Sequence, residues 1–132
     1  MKPRGGMGMT ILGYTRIFTD ENDTSHFETC EITLEQTAYA PPADPLFTSS
    51  PEPATTTLFL ELPAGWAGEW HPTPVRQWLI LMSGECSFEV GSGEKRIAKA
   101  GEAILLEDMA GKGHRTVVLS DEPMRIAAIH LP

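Results

Sequence analysis

Three side chains in the second half of the chain have the types and spacing to act together: His71, Gln77 and His114. Positions 71, 73 and 77 share one parity, so an extended segment puts His71, Thr73 and Gln77 on one face, together with the apolar Leu79 and Leu81. A second extended segment beginning at His114 carries Thr116 on its own matching face. Two imidazoles and an amide oxygen converging at one end of a sheet structure make a metal-sized set of nitrogen and oxygen donors, suited to a divalent ion such as Zn, Fe, Mn or Ni. All three donors are neutral, so the ion's charge would stay uncompensated and attract anionic, chelating ligands. The chemistry this favours is Lewis-acid work, polarising a carbonyl or lowering the pKa of a bound water. The competing reading makes both histidines inward, hydrogen-bonded core residues that only recognise a guest.

The surrounding residues supply the other parts a site would need. Glu107, followed by Asp108, precedes His114 and is the candidate general acid or base. Trp70, Thr73 and Thr116 are the candidate substrate contacts, with Trp66 beside them as a second wall of the pocket mouth. Lys112 could steer an anionic substrate, although Gly111-Lys112-Gly113-His114 is no phosphate loop, because no helix follows it. His26 in a polar segment and His130 in the last apolar run read as structural or solvent-facing. Cys30 and Cys86 form neither a disulfide framework nor a Cys-x-x-Cys motif, so both are expected as free thiols and Cys86 as a small core residue.

The elements that must position these groups are strands. From Thr55 onward, short apolar, β-prone runs alternate with Gly and Pro turns: Thr56 to Leu62, Gln77 to Met82, Cys86 to Val90, Glu94 to Ala98, Ala103 to Leu106, Thr116 to Leu119 and Met124 to Leu131. None continues at helical spacing. Residues 55–132 are therefore expected to form an all-β barrel or sandwich. Cys86, Phe88 and Val90 share one face of their run while Glu85, Ser87 and Glu89 share the other, which predicts a strand with one wet side. Gln77 to Met82 is apolar on both faces, so something must cover its outside. The candidates are a second subunit, giving a homodimer, or the preceding residues 1–54, which read as an extended arm punctuated by Pro41, Pro42, Pro45, Pro51 and Pro53, with short strands at Ile11 to Phe18 and Phe27 to Leu34.

Bulk properties narrow the partners. The 132 residues make a single domain, and 41% hydrophobic against 21% charged residues is the composition of a folded globular protein. A net charge of −8 without a run of basic residues argues against nucleic acid and against an anionic membrane surface. No apolar run is long enough to span a bilayer. The N-terminal stretch, broken by Gly, Thr and Arg, lacks the continuous apolar region of a secretory signal, so cytoplasmic residence and a small-molecule ligand or substrate are expected.

Two tracts resemble the motifs of the cupin superfamily. Gly65 is followed after five residues by His71-Pro72-Thr73, after three more by Gln77 and after six more by Gly84, which is the spacing of the family's first motif with Thr73 in place of its second histidine and Gln77 in place of its glutamate. Gly101, Met109-Ala110-Gly111, His114 and Val118 follow the second motif, with an opening loop two residues longer and without its proline and asparagine. The resemblance covers about residues 55 to 131 and implies a cupin jelly-roll barrel with an extended N-terminal arm. It also implies a metal or ligand site at His71, Gln77 and His114. Cupins with glutamine in the glutamate position include sugar-acid ring openers and polyketide cyclases, so the implied activity is that of an isomerase, lyase or cyclase on an oxygenated or acidic metabolite. A non-catalytic sensing cupin and a non-haem iron dioxygenase are the alternatives.

Overall fold

The structure, a computed structural model, describes residues 8–132; the first seven residues of the expected arm lie outside that range. Ten strands account for its regular structure, and the described residues contain no helix. They are β1 (Met9–Thr19), β2 (Ser25–Thr37), β3 (Leu46–Thr48), β4 (Thr56–Leu62), β5 (Gln77–Leu81), β6 (Glu85–Val90), β7 (Lys95–Lys99), β8 (Ala103–Glu107), β9 (His114–Val118) and β10 (Met124–His130). A seven-stranded sheet runs β3-β2-β1-β8-β5-β10-β4, and a three-stranded sheet runs β7-β6-β9. The seven runs expected after Thr55 appear as β4 to β10, with ends shifted by a residue or two.

Alternation sorts each strand into an inside and an outside. Cys86, Phe88 and Val90 of β6 and Leu79 and Leu81 of β5 are buried and, together with Ile104 and Ile126, belong to one apolar core shared by the two sheets, with the polar Gln77 buried on the same face of β5. Burial pushes the Cys86 thiol up to about 12, so it is an inert apolar filler.

The N-terminal third is built into the sheet. β1 and β2 pair antiparallel along their whole length, and β1 then pairs in parallel with β8, Ile17 opposite Leu106. Ile17 and Phe27 thereby enter the main core. Burying two such side chains contributes about 3–6 kcal/mol, a large share of the ~5–15 kcal/mol that holds a domain folded. The acidic Asp20–Asp23 stretch is the turn: the Asp20 carboxylate accepts hydrogen bonds from the Asn22 and Thr24 amides at 2.8 and 3.0 Å. Residues 49–53 cross the outside of β5, where Glu52 accepts a bond from the Trp78 indole at 2.8 Å and Tyr14 meets the Trp78 ring edge-on at 4.9 Å.

The tip of the β1–β2 hairpin also grips two loops of the smaller sheet. Buried Ser25 accepts a hydrogen bond from the Gly91 amide at 2.7 Å and donates one to the Gly113 carbonyl at 2.6 Å. Replacing Ser25 with Ala leaves a buried donor and a buried acceptor unsatisfied, which costs about 1–3 kcal/mol. Urea unfolding of Ser25→Ala is expected to show that loss as a lower midpoint with an unchanged slope.

Candidate functional site

The site is assembled by backbone before any side chain takes part. His114 opens β9, opposite Val90 of β6. On its other side it forms an antiparallel bridge with His71, whose amide donates to the His114 carbonyl at 3.1 Å while the His114 amide donates to the His71 carbonyl at 3.0 Å. Directly opposed residues present their side chains on the same face, and the two rings lie 4.8 Å apart between centroids at 58°. This approach requires glycine at position 113: its φ is +75°, and a Cβ there would fall 2.1 Å from the His71 carbonyl oxygen.

Hydrogen bonds fix the identity of every nitrogen. His71 Nδ1 lies 3.0 Å from the Pro72 carbonyl, which can only accept, so Nδ1 carries the proton and Nε2 keeps its lone pair. His114 Nδ1 lies 2.7 Å from Oδ2 of Asp108, whose carboxylate likewise accepts, so that the neutral ring presents a free Nε2. His114 is 3% exposed and Asp108 0%, whereas His71 faces solvent. The Thr73 hydroxyl spends its proton on the Val75 carbonyl at 2.7 Å. It can then only accept from the Gln77 amide nitrogen at 3.0 Å, which turns Gln77 Oε1 away as the electron-pair donor. Thr116 is buried two residues beyond His114 on the same face of β9, and its hydroxyl makes no hydrogen bond to another described residue.

With both rings neutral, two imidazole Nε2 atoms and one amide oxygen are the donors available. Among the described residues no group of three or more His, Cys, Asp or Glu side chains is placed to hold a metal. A divalent ion would depend on His71, His114 and the amide of Gln77. The pattern in which each ring donates its other N–H to an oxygen is the one that orients metal-bound histidines, so the donor set fits such an ion.

The cupin domain family matches residues 58–130, more than half of the chain. This chain belongs to the cupin family. No curated protein matches it. Among solved structures, a Salmonella typhimurium LT2 protein named as ethanolamine utilization protein Q aligns at 16% identity over 93% of this chain and 98% of its own, with a TM-score of 0.44. By its family the two-sheet all-β architecture is the jelly-roll of a cupin, with the β1–β2 hairpin extending its larger sheet.

Two of the expected site residues lie elsewhere in this cupin. Glu107, expected as the acid or base, is on the outer face of β8: Gln77 is paired with Leu106, so the next side chain points away from the site. There it accepts hydrogen bonds from both Arg16 and Arg76. Partial burial alone would raise its pKa, but the two guanidinium bonds outweigh burial and hold it below the ordinary glutamate range. Trp70, expected as a substrate contact, sits on the face opposite His71, with Lys112 Nζ 4.0 Å and the Arg115 guanidinium 5.7 Å from its ring centre. Lys112 is thereby a partner of Trp70 on the outside of the barrel. Trp66 folds its ring over Gly68, and His26 is held by Asp20 at 2.7 Å. The inward carboxylate is Asp108, Glu107's neighbour.

The lowered pKa of Glu107 has a stability consequence with a definite sign. Its ion pairs contribute fully above the unfolded glutamate pKa of about 4.3 and are lost as pH falls through the lower folded value. Glu107→Gln is expected to cost about 1–2 kcal/mol near neutral pH, allowing for screening at the partly exposed guanidiniums. The gap from wild type should close in acid, as measured by denaturant unfolding across pH.

Proposed function

We propose that this cupin is a metal-dependent enzyme of the isomerase, lyase or cyclase type, acting on a small oxygenated or acidic metabolite. One observation carries the reading: the Nδ1 atoms of His71 and His114 are both occupied by oxygen acceptors, which leaves two Nε2 lone pairs free on one face with the rings 4.8 Å apart. A bound divalent ion (Zn, Fe, Mn or Ni) would supply Lewis acidity toward a carbonyl or a water. His71, at the solvent-facing edge, meets an entering ligand first, and the buried His114 holds the inner wall. The unspent hydroxyl of Thr116 orients the ligand's oxygen atoms, while Thr73 occupies the Gln77 amide nitrogen and leaves its amide oxygen as the donor. Protein purified without a histidine tag is expected to contain metal near stoichiometry, and His71→Ala and His114→Ala are each expected to lose it, as read by elemental analysis. Metal-free wild-type protein with ligand binding indifferent to both substitutions would sink the reading in favour of the non-catalytic cupin.

The working unit in this reading is a cytoplasmic homodimer. The registers of β4, β10, β5 and β8 line up Phe59, Ala127, Ile80 and Ala103 as an apolar row across the outer face of the large sheet. Phe59 is 77% exposed at the end of that row and Met82 55% exposed beside it, apolar side chains that a second copy would take out of water. Light scattering after size exclusion is expected to give twice the 14.4 kDa chain mass, and Phe59→Glu to halve the observed mass without unfolding the protein.

A further inference from the structure

Asp108 is the one wholly buried carboxylate among the described residues, and it is only half satisfied. Oδ2 accepts from His114 Nδ1 at 2.7 Å, its backbone carbonyl accepts from the Thr73 amide at 3.1 Å, and Oδ1 has no partner. No lysine or arginine pairs with it; its one side-chain partner is His114 itself. Glu107, one residue earlier, has two arginines. A buried carboxylate with an orphaned oxygen is costly to keep unless positive charge lies close by. Across the His114 ring from Asp108 lies Nε2, the atom left free.

We propose that Asp108 is a positioning residue for divalent-cation binding. It fixes His114 in the Nδ1–H tautomer, and it supplies from behind the imidazole the negative charge that the neutral donors His71, His114 and Gln77 lack. The inference rests on the metal reading above. It also explains how a cupin with glutamine in the glutamate position keeps a carboxylate in the site's electrostatics: the charge has moved one shell outward, onto the residue that backs the second-motif histidine. A carboxylate in that place raises the basicity of the imidazole toward a cation.

The test titrates Zn²⁺ into apo wild type, Asp108→Asn, His71→Ala and His114→Ala by calorimetry, and records the imidazole ¹⁵N spectrum and the melting temperature of each apo protein. The asparagine keeps the size and an acceptor oxygen while removing the charge. Asp108→Asn is expected to bind Zn²⁺ about 10–100-fold more weakly than wild type and to melt at the same or a higher temperature. Apo wild type is expected to show His114 protonated at Nδ1. Unchanged Zn²⁺ affinity in Asp108→Asn, or a variant that loses stability in step with affinity, overturns the proposal. So does a His114 protonated at Nε2 in wild type, a readout that needs no variant to fold. Wild type indistinguishable from both alanine variants in Zn²⁺ uptake overturns the metal reading, and with it the charge-supplying role, while the ¹⁵N spectrum reports separately on orientation.

Discussion

The structure of the site depends on one close approach of backbone to backbone, between Gly113 at the entry to β9 and the His71-Pro72 segment. Bridging hydrogen bonds of 3.0 and 3.1 Å hold the His71 and His114 main chains together, and only a residue without Cβ can precede His114 at that distance. Once the bridge forms, the alternation of extended chain leaves no choice about side chains: the two imidazoles share the inner face, and Trp70 and Arg115 share the outer one. The spacing between the rings is therefore a property of the backbone, which is how a site with so few donors can hold its geometry while His71 remains in contact with solvent.

That bridge is in turn held by the part of the chain furthest from it in sequence. The loop between β8 and β9 rests on the tip of the β1–β2 hairpin. Ser25 bonds the Gly113 carbonyl, Thr19 bonds the Ala110 carbonyl at 3.3 Å, and Gly111, with φ +70°, passes so close to the Asp23 carbonyl that a Cβ would fall 2.2 Å from it. A loop longer than the usual second motif would be free to sample other paths; here the hairpin removes that freedom. The N-terminal strands thus serve both the core, through Ile17 and Phe27, and the site, through the tip.

Strand-sized runs, turn residues and motif spacing were sufficient to locate β4 to β10 and to put His71 and His114 on one face, because each of those signals is local. The integration of β1 and β2 was not legible in the same way. Their apolar residues were visible, but the partner of β1 is β8, some ninety positions away and parallel to it, and nothing local in either segment specifies a parallel neighbour. The exchange of Glu107 for Asp108 has a different cause. Ile104, Leu105 and Leu106 are all apolar, so alternation through them cannot say which of the next two carboxylates faces inward. The structure decides it through register, with Leu106 opposite the inward Gln77, so that positions 104, 106 and 108 face one way and 105 and 107 the other.

Those two adjacent carboxylates show how the fold distributes charge. Glu107 and Asp108 differ by one methylene and one step along the backbone, yet one lies on the outer face between two arginines and the other lies buried with a single imidazole against it. Asp at the inward position meets the back of His114 at 2.7 Å. Gln77, meanwhile, brings no charge to the front of the site. The carboxylate nearest this buried histidine therefore lies behind its ring, while His71 is held by Pro72, Gln77 by Thr73 and His114 by Asp108.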